Sequence, residues 1–241
     1  MHIIPVIDLL NGIVVHAKKG ARQHYQPIQS QLSLSHQPLE VVKALLDFYP
    51  FTQLYIADLN AIQKTEGTYN TNIGNTNFSV IEAIAERFPT LTLWVDAGIS
   101  NNTELNVWRK LKATLILGSE NFHHIDDYLL LISLKNDCIL SLDFFSEGYR
   151  GPIELLTYSE YWPQEVIVMS LGIVGTNSGV NSSLLNDVLT RAKGFNLYAA
   201  GGVRNIEDLN HLKTMGLKGT LIATALHQQQ LSRDDIEYFS Q

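Results

Sequence analysis

Residues 196–204 read NLYAAGGVR, and residues 220–225 read TLIATA. In both stretches a short apolar run ends in small residues, and a polar stretch with helix-like spacing follows. This pattern predicts two successive β-turn-α units near the end of the chain. In a barrel of eight such units, the loops after strands 7 and 8 are where phosphate groups usually bind. The two stretches therefore predict the last quarter of a (β/α)8 barrel that binds a phosphorylated small molecule.

The turns of these two units form a candidate anion site. Gly201 and Gly202 have no Cβ, so a ligand can approach their backbone closely, and the N-terminus of the following helix favours negative charge. Ala223 and Thr224 offer backbone N–H groups and a hydroxyl from the second turn. Arg204 either adds positive charge to this site or is a solvated residue of the first helical turn.

The composition fits a single barrel domain over residues 1–241. Of the 241 residues, 45% are hydrophobic and 17% are charged, which is enough for a full core. Barrels of about 250 residues commonly form one domain. The formal net charge is -7 and no block of Lys and Arg occurs, which argues against nucleic acid as a partner.

The sequence also indicates the compartment. The single cysteine, Cys138, lies in an apolar run and cannot form an internal disulfide. The N-terminal residues enter a strand-like stretch without the layout of a signal peptide. No apolar run reaches the roughly 18 residues that a membrane span needs. We therefore expect a cytoplasmic protein with no membrane partner, and the sequence leaves open a protein partner or a homo-oligomer.

Short apolar runs alternate with longer amphipathic runs along the whole chain, which is the signature of βαβ units. The stretches quoted above hold strands 7 and 8, and strands 1 to 6 are predicted at residues 3–7, 53–57, 91–95, 114–117, 138–142 and 165–169. Helical patterns follow the strands. The sequence therefore predicts an α/β protein with the (β/α)8, or TIM barrel, fold.

An internal repeat divides the predicted barrel into two similar (β/α)4 halves. Residues 98–106, GISNNTELN, align with residues 202–210, GVRNIEDLN. Glycine, asparagine, an acid, leucine and asparagine recur at a constant offset of 104 positions. In this register Asp8 and Asp143 each close the first strand of their half.

Asp8 and Asp143 are the candidate catalytic residues. Both end strands on nearly opposite sides of the barrel, at the mouth where catalytic residues collect. A carboxyl group on each side of a sugar phosphate can act as general acid and general base, if one of them is held protonated by its surroundings. The alternative is that each aspartate only caps a loop or a helix.

The repeat also predicts a second anion site in the first half of the barrel. Gly98, together with Gly118 and Ser119, occupies turns related by the repeat to those of the first site. Glycines at such turns often serve tight geometry alone. Asp58, which closes strand 2, is either a further polar contact to the ligand or a loop cap.

Several short motifs resemble the HisA and HisF barrels of histidine biosynthesis, along essentially the whole chain. They are IPVIDL at residues 4–9, NGIVVH at 11–16, YIADL at 55–59, AGI at 97–99, LGS at 117–119, SLD at 141–143 and AGGV at 200–203. The start is more similar to HisA, which isomerises an aminoaldose to an aminoketose, an Amadori rearrangement. The resemblance implies that Asp8 is the base and Asp143 the acid. It implies phosphates at the two glycine sites and no metal or organic cofactor.

The sequence departs from the family at two strands. After strand 6 the family pattern has two acids, whereas this chain reads SLGIVGT at residues 170–176 and retains the hydroxyl of Ser170 as a ligand candidate. After strand 3 it has Asp96 before Ala97 and Gly98, and Ser100 where the family has an arginine. A carboxylate at this turn is expected to repel phosphate.

A segment from Val14 to Pro27 is more similar to HisA/HisF-related proteins of unassigned activity from methanogens and methylotrophs. Their suspected role is in one-carbon cofactor synthesis, that of tetrahydromethanopterin or methanofuran. The sequence favours acid–base isomerisation of a sugar phosphate outside the histidine pathway. Two alternatives remain: a barrel without catalysis that serves as a binding or assembly subunit, and a HisF-like synthase with an amidotransferase partner.

Overall fold

Eight parallel strands close into a barrel in the computed structural model, which describes residues 1–17, 24–63, 75–134, 137–174 and 179–240. In barrel order the strands are β1 (His2–Leu10), β4 (Gln53–Asp58), β5 (Thr92–Asp96), β6 (Thr114–Gly118), β7 (Ile139–Phe145), β9 (Glu165–Ser170), β10 (Asn196–Ala200) and β11 (Gly219–Ile222). Parallel pairing of β1 with β11, in which Ile3 lies beside Thr220, closes the ring. The predicted (β/α)8 fold is confirmed.

Helices follow the strands and cover the outside of the barrel. They are α1 (Pro38–Phe48), α2 (Leu59–Ile62), α3 (Phe78–Arg87), α4 (Asn102–Trp108), α5 (Ile125–Leu134), α6 (Ile153–Thr157), α7 (Ser182–Leu189), α8 (Ile206–Thr214), α9 (Thr224–His227) and α10 (Arg233–Ser240). None of the helices in the described ranges is long and apolar enough to cross a membrane.

Two antiparallel hairpins extend the sheet beyond the eight barrel strands. β2 (Ile13–His16) pairs antiparallel with β1 across a turn at Asn11 and Gly12, and β3 (Gln26–Pro27) pairs with β2. β8 (Gly148–Arg150) folds back on β7. Residues 18–23, part of the segment that resembles the HisA/HisF-related proteins of unassigned activity, lie outside the described residues. The same is true of residues 175–178, part of the stretch after strand 6 that departs from the family pattern.

Alternating residues of each strand separate the interior of the barrel from the layer under the helices. In β4, Tyr55 and Ala57 point into the barrel, while Leu54 and Ile56 belong to the outer core. Each strand contributes one large buried side chain to the interior: Ile4, Tyr55, Trp94, Ile116, Ile139, Ile167, Tyr198 and Leu221. Because these side chains fill the middle of the barrel, space for a ligand is left at the carboxyl ends of the strands.

The internal repeat has the same capping geometry in both halves. Asn101 caps α4 by accepting the N–H of Glu104 at 3.0 Å, and Asn205 caps α8 by accepting the N–H of Asp208 at 3.1 Å. Each acid in turn accepts the N–H of the residue before the cap, at 2.9 Å in both places. The offset of 104 positions is therefore a structural equivalence.

The two caps provide a stability prediction. Asn101→Ala and Asn205→Ala each remove a side-chain acceptor for a helix N–H group, so each is expected to lower the free energy of unfolding by about 1 kcal/mol. Urea unfolding followed by circular dichroism measures the change. Asn210→Ala, on the exposed face of α8, is the matched control. Cap variants that are as stable as this control would contradict the equivalence.

Candidate active site at the carboxyl ends of the barrel strands

A cavity opens at the carboxyl ends of the barrel strands and encloses about 970 Å³ of space, part of it open to solvent. Six of the residues predicted from sequence line it: Asp8, Asp143, Gly201, Gly202, Ala223 and Thr224. Tyr55, Asp96 and Glu120 add polar groups to the wall, and most other lining residues are apolar. The structure therefore brings the two candidate catalytic residues and the second-half turns into one cavity.

The carboxyl group of Asp143 is held by hydrogen bonds at the end of β7, where the residue is 4% exposed. Ser141 lies two residues earlier on the same face of the strand and donates its hydroxyl to Oδ1 at 2.6 Å. The backbone N–H of Glu120 donates to Oδ2 at 3.1 Å, because a 3-10 turn over residues 119–121 brings it there. Ser119 accepts the N–H of Asp143 at 2.9 Å and donates its hydroxyl to the carbonyl of Arg150 at 2.6 Å.

Burial raises the pKa of Asp143 well above its ordinary value, because the charged carboxylate loses its hydration. The nearby charge of Glu120 raises this pKa further, and Asp96 adds to the rise. Hydrogen bonds from the Ser141 hydroxyl and the Glu120 N–H lower the pKa but do not outweigh burial. The carboxyl group therefore keeps its proton above the pH at which an ordinary aspartic acid loses it, as a general acid requires.

Asp8 lies in a more open environment than Asp143. It is partly exposed near the end of β1, beside Ala57 of β4 and Val15 of β2. It lines both the main cavity and a smaller side pocket that also includes His16 and His227. Two carboxyl groups with different environments in one cavity are the arrangement in which acid and base roles separate.

Tyr55 is a site residue that the sequence analysis missed. It is 3% exposed, and its hydroxyl donates to Asp96 Oδ2 at 3.2 Å. Burial raises the pKa of this phenol well above its ordinary value, and the charges of Asp96, Asp143 and Asp8 raise it further. The neutral hydroxyl therefore lies among the three aspartates at the cavity floor. Period-two alternation in strand 2, with Tyr55 on the face that carries Ala57, was the available signal.

The first-half turn holds its own carboxylate. Gly98 has a φ of +59° and donates its N–H to Asp96 Oδ1 at 3.0 Å. Ser100 donates both its N–H and its hydroxyl to Glu104 Oε2, at 2.9 and 3.1 Å. The predicted phosphate ligand Gly98 is outside the cavity lining, whereas Asp96 is part of it.

The second-half turn presents two glycines to the cavity. Gly201 and Gly202 have φ values of +97° and +90°, which residues with a Cβ rarely adopt. A Cβ on Gly202 would lie 2.3 Å from the Gly179 carbonyl oxygen, and one on Gly201 would lie 2.7 Å from that of Ser170. Both positions therefore require glycine for backbone conformation and packing as well as for any ligand.

Arg204 lies two residues before α8, makes an ion pair with Asp208 in the first turn of that helix, and is outside the cavity lining. Its Nε and Nη2 atoms donate to the two carboxylate oxygens of Asp208, each at 2.9 Å. This bidentate pair is four residues apart, and Asp208 also accepts the Arg204 N–H. This geometry places Arg204 just before the first helical turn, with its guanidinium engaged by Asp208, and so it favours the second of the two alternatives over a ligand contact.

The remaining predicted residues have structural contacts outside the cavity lining. Asp58 is fully buried and caps α2, accepting N–H groups from Asn60 and Ala61 and both the N–H and the amide of Asn77. Gly118 leaves room for Asp143, since a Cβ there would lie 3.0 Å from Asp143 Oδ2. Ser170 is buried at the end of β9, below Gly201.

The charged groups that the described residues contribute to the main cavity are all acidic: Asp8, Asp96, Glu120 and Asp143. No group of three or more His, Cys, Asp or Glu side chains in the described ranges has the geometry of a metal site. Among the described residues, the groups of this cavity suited to holding a phosphate are backbone N–H groups and the Thr224 hydroxyl, since no lysine or arginine of the described ranges lines it.

The closed ring of parallel strands with helices between them defines the class of (β/α)8 barrel proteins, and carboxyl groups from both halves lie at the mouth, where active sites of this fold collect. The chain matches the family model described as histidine biosynthesis protein over residues 2–232. The protein therefore belongs to this family, which comprises the HisA and HisF barrels, and the resemblance drawn from its motifs is confirmed.

Two kinds of relative match nearly the full length of the chain. An uncharacterised protein from Methanocaldococcus jannaschii is 32% identical over 241 residues, covering 98% of this chain and 97% of that protein. The 1-(5-phosphoribosyl)-5-((5-phosphoribosylamino)methylideneamino) imidazole-4-carboxamide isomerase of the same organism is 25% identical over 243 residues, covering 95% and 94%. The isomerase of that name from Flavobacterium johnsoniae is 23% identical over 253 residues, covering 99% of each chain.

The raised pKa of Asp143 predicts how stability depends on pH. Its folded-state pKa is above the unfolded value, so wild-type stability should fall as pH rises from about 4 toward the folded pKa. Asp143→Asn cannot titrate and should escape this loss. The melting temperature of the variant, relative to wild type, should therefore rise by roughly 2–4 °C per pH unit above pH 4. Differential scanning calorimetry from pH 4 to 8 measures it, and a difference that stays constant with pH would contradict the raised pKa.

Proposed function

We propose that the protein is an acid–base isomerase that converts a phosphorylated aminoaldose to the corresponding aminoketose. The observation that carries this proposal is the buried carboxyl group of Asp143, whose pKa is raised by burial, in the same cavity as the more open Asp8. Family membership supports the reaction class, because relatives across the full length of the chain are isomerases.

In the proposed mechanism, Asp143 donates its proton to the ring oxygen of the sugar as the bond between C1 and that oxygen breaks. The nitrogen on C1 supplies the electron pair, so an open-chain iminium forms. Asp8 then removes the proton from C2, which gives an enol-amine. Protonated Asp8 then returns its proton to C1, and the Asp143 carboxylate takes the proton of the C2 hydroxyl, which produces the ketone and restores both carboxyl groups.

The Tyr55 hydroxyl supports this division of roles by its position. Its one proton is donated to Asp96 and burial keeps the phenol neutral, so the hydroxyl oxygen can accept a hydrogen bond from a substrate hydroxyl or N–H group at the reacting centre without adding charge. Its bond to Asp96 also keeps that carboxylate fixed at the first-half end of the cavity.

We further propose that the substrate lies outside histidine biosynthesis. Methanocaldococcus jannaschii has both the uncharacterised relative, at 32% identity, and the isomerase, at 25% identity, so the two proteins coexist in one organism. The names of the isomerases specify a substrate with two phosphoribosyl groups. In this chain Asp96 occupies the first-half turn. Phosphorylated precursors of one-carbon cofactors are the first compounds to assay.

The proposal predicts that two isosteric substitutions abolish turnover. Asp8→Asn removes the base and Asp143→Asn removes the acid, so each should lower kcat by about 100- to 10,000-fold on a phosphorylated aminoaldose. The assay follows loss of the C2 proton by NMR in deuterium oxide, with the substrate of the isomerase relatives as one probe. Asp234→Asn, on the exposed face of α10, is the control for the same substitution away from the cavity.

Two results would contradict the proposed chemistry. Turnover at the wild-type rate in either aspartate variant would show that the pair does not carry the reaction. Folded wild-type protein that binds ribose 5-phosphate but turns over no aminoaldose phosphate would favour a barrel that serves as a binding or assembly subunit. Full complementation of a HisA-deficient bacterium would place the substrate back in the histidine pathway.

A further inference from the structure

The two repeat-related turns of the barrel have the same scaffold and differ at one position. Both have a glycine with positive φ at the equivalent place, Gly98 and Gly202. Both continue into the capping arrangement of an asparagine and an acid described above. The residue two positions before the glycine is Asp96 in the first half and Ala200 in the second, and both line the cavity.

This difference determines what happens to the glycine N–H, the group that a bound anion needs. In the first half Asp96 Oδ1 accepts the Gly98 N–H at 3.0 Å, and Tyr55 fixes the other carboxylate oxygen at 3.2 Å. In the second half, Ala200 has no acceptor to offer, and no described residue accepts the Gly202 N–H. In the first turn the glycine N–H is therefore bound by a carboxylate of the chain itself, whereas in the second turn the glycine N–H is left for an anionic ligand.

The electrostatic surroundings reinforce the asymmetry. Asp96 is 8% exposed, and Glu120 and Asp143 line the same end of the cavity. The charges of both Asp96 and Glu120 raise the pKa of Asp143, so the three groups interact strongly. A second phosphate group at this end would meet the like charges of Asp96 and Glu120.

We propose that Asp96 is a built-in substitute for a second phosphate, and that the substrate therefore carries a single phosphate group. This inference rests on the proposed function, with the phosphate at the Gly201–Gly202 turn and Thr224. The other end of the substrate, next to Asp96 and Glu120, carries a hydroxyl or amino group that donates hydrogen bonds. Asp96 is then a residue that determines specificity, selecting against the doubly phosphorylated substrate named for the isomerase relatives.

Binding titrations by calorimetry test the proposal with three probes. Ribose 5-phosphate reports the single phosphate site, and aminoimidazole carboxamide ribotide is a larger ligand with one phosphoribosyl group. The substrate of the isomerase relatives extends that ribotide by a second phosphoribosyl group. Wild type should bind the ribotide at least as tightly as the doubly phosphorylated compound, although the latter makes more contacts.

Two substitutions at one position shift this ratio in a predicted direction. Asp96→Asn keeps an acceptor for the Gly98 N–H and removes the charge, so affinity for the doubly phosphorylated probe should rise about tenfold or more relative to the ribotide. Asp96→Ala reproduces Ala200 and also releases the Gly98 N–H, so its gain should be larger. Asp234→Asn should leave the ratio unchanged, and melting temperatures establish that each variant is folded.

The outcomes of these titrations distinguish failure of the single-phosphate inference from failure of the proposed function. If wild type does not bind ribose 5-phosphate, the proposed phosphate site is wrong, and the inference is overturned with it. If wild type binds ribose 5-phosphate but prefers the doubly phosphorylated probe, the inference alone is overturned. The same holds if both Asp96 variants leave the ratio unchanged. A preference for the ribotide that Asp96→Asn and Asp96→Ala progressively remove supports it.

Discussion

The parallel pairing of β1 with β11 is the constraint on which the rest of this structure depends. It joins the first strand to the last in a register that sets Ile4 beside Leu221, and every other strand follows in order around the ring. Because all eight barrel strands run the same way, their carboxyl ends meet at one rim. Asp8, Asp96 and Asp143 are far apart in sequence, and closure brings them into one cavity.

Bringing several carboxyl groups into one cavity is unfavourable unless their charge is relieved. Charges of like sign in a poorly solvated space raise each other's pKa, and burial adds to the rise. In this barrel Asp143 is the most buried of the group, and retention of its proton relieves part of the repulsion. The same proton is available for donation to a substrate, so the electrostatic constraint and the proposed acid role have one cause.

The sequence predicted the barrel because the fold is specified by patterns that do not depend on fine geometry. Strand periodicity, glycines at strand ends and the repeat at offset 104 identified the eight units, and closure followed from the fold class. Asp8 and Asp143 could be placed at the mouth because each follows an apolar run, and the carboxyl ends of all barrel strands lie at the same end of the barrel. The same reasoning placed the Gly201–Gly202 turn at the mouth of the barrel.

The same patterns could not predict which partners the side chains at the site contact. The sequence leaves open whether Arg204 contacts a ligand, and in the structure it pairs instead with Asp208, four residues later. Asp96 was recognised as an anion, but its bond to the Gly98 N–H depends on the left-handed turn that aims that N–H inward. Tyr55 went unnoticed because its hydroxyl becomes polar lining only when the barrel closes around it. The role of Asp58 as a cap depends on Asn77, which lies just before α3 and donates both its N–H and its side-chain amide to the Asp58 carboxylate.

The most direct test of the account is the protonation state of Asp143 itself. Carbon-13 NMR of the protein labelled at aspartate side-chain carboxyls, with Asp143→Asn to assign the resonance, follows this group through a pH titration. The account predicts that the Asp143 carboxyl remains protonated well above the ordinary aspartate pKa of about 3.9. Titration at or below that value would mean that the buried group carries a full negative charge in the resting protein. It would contradict the claim that Asp143 is the proton donor of this barrel.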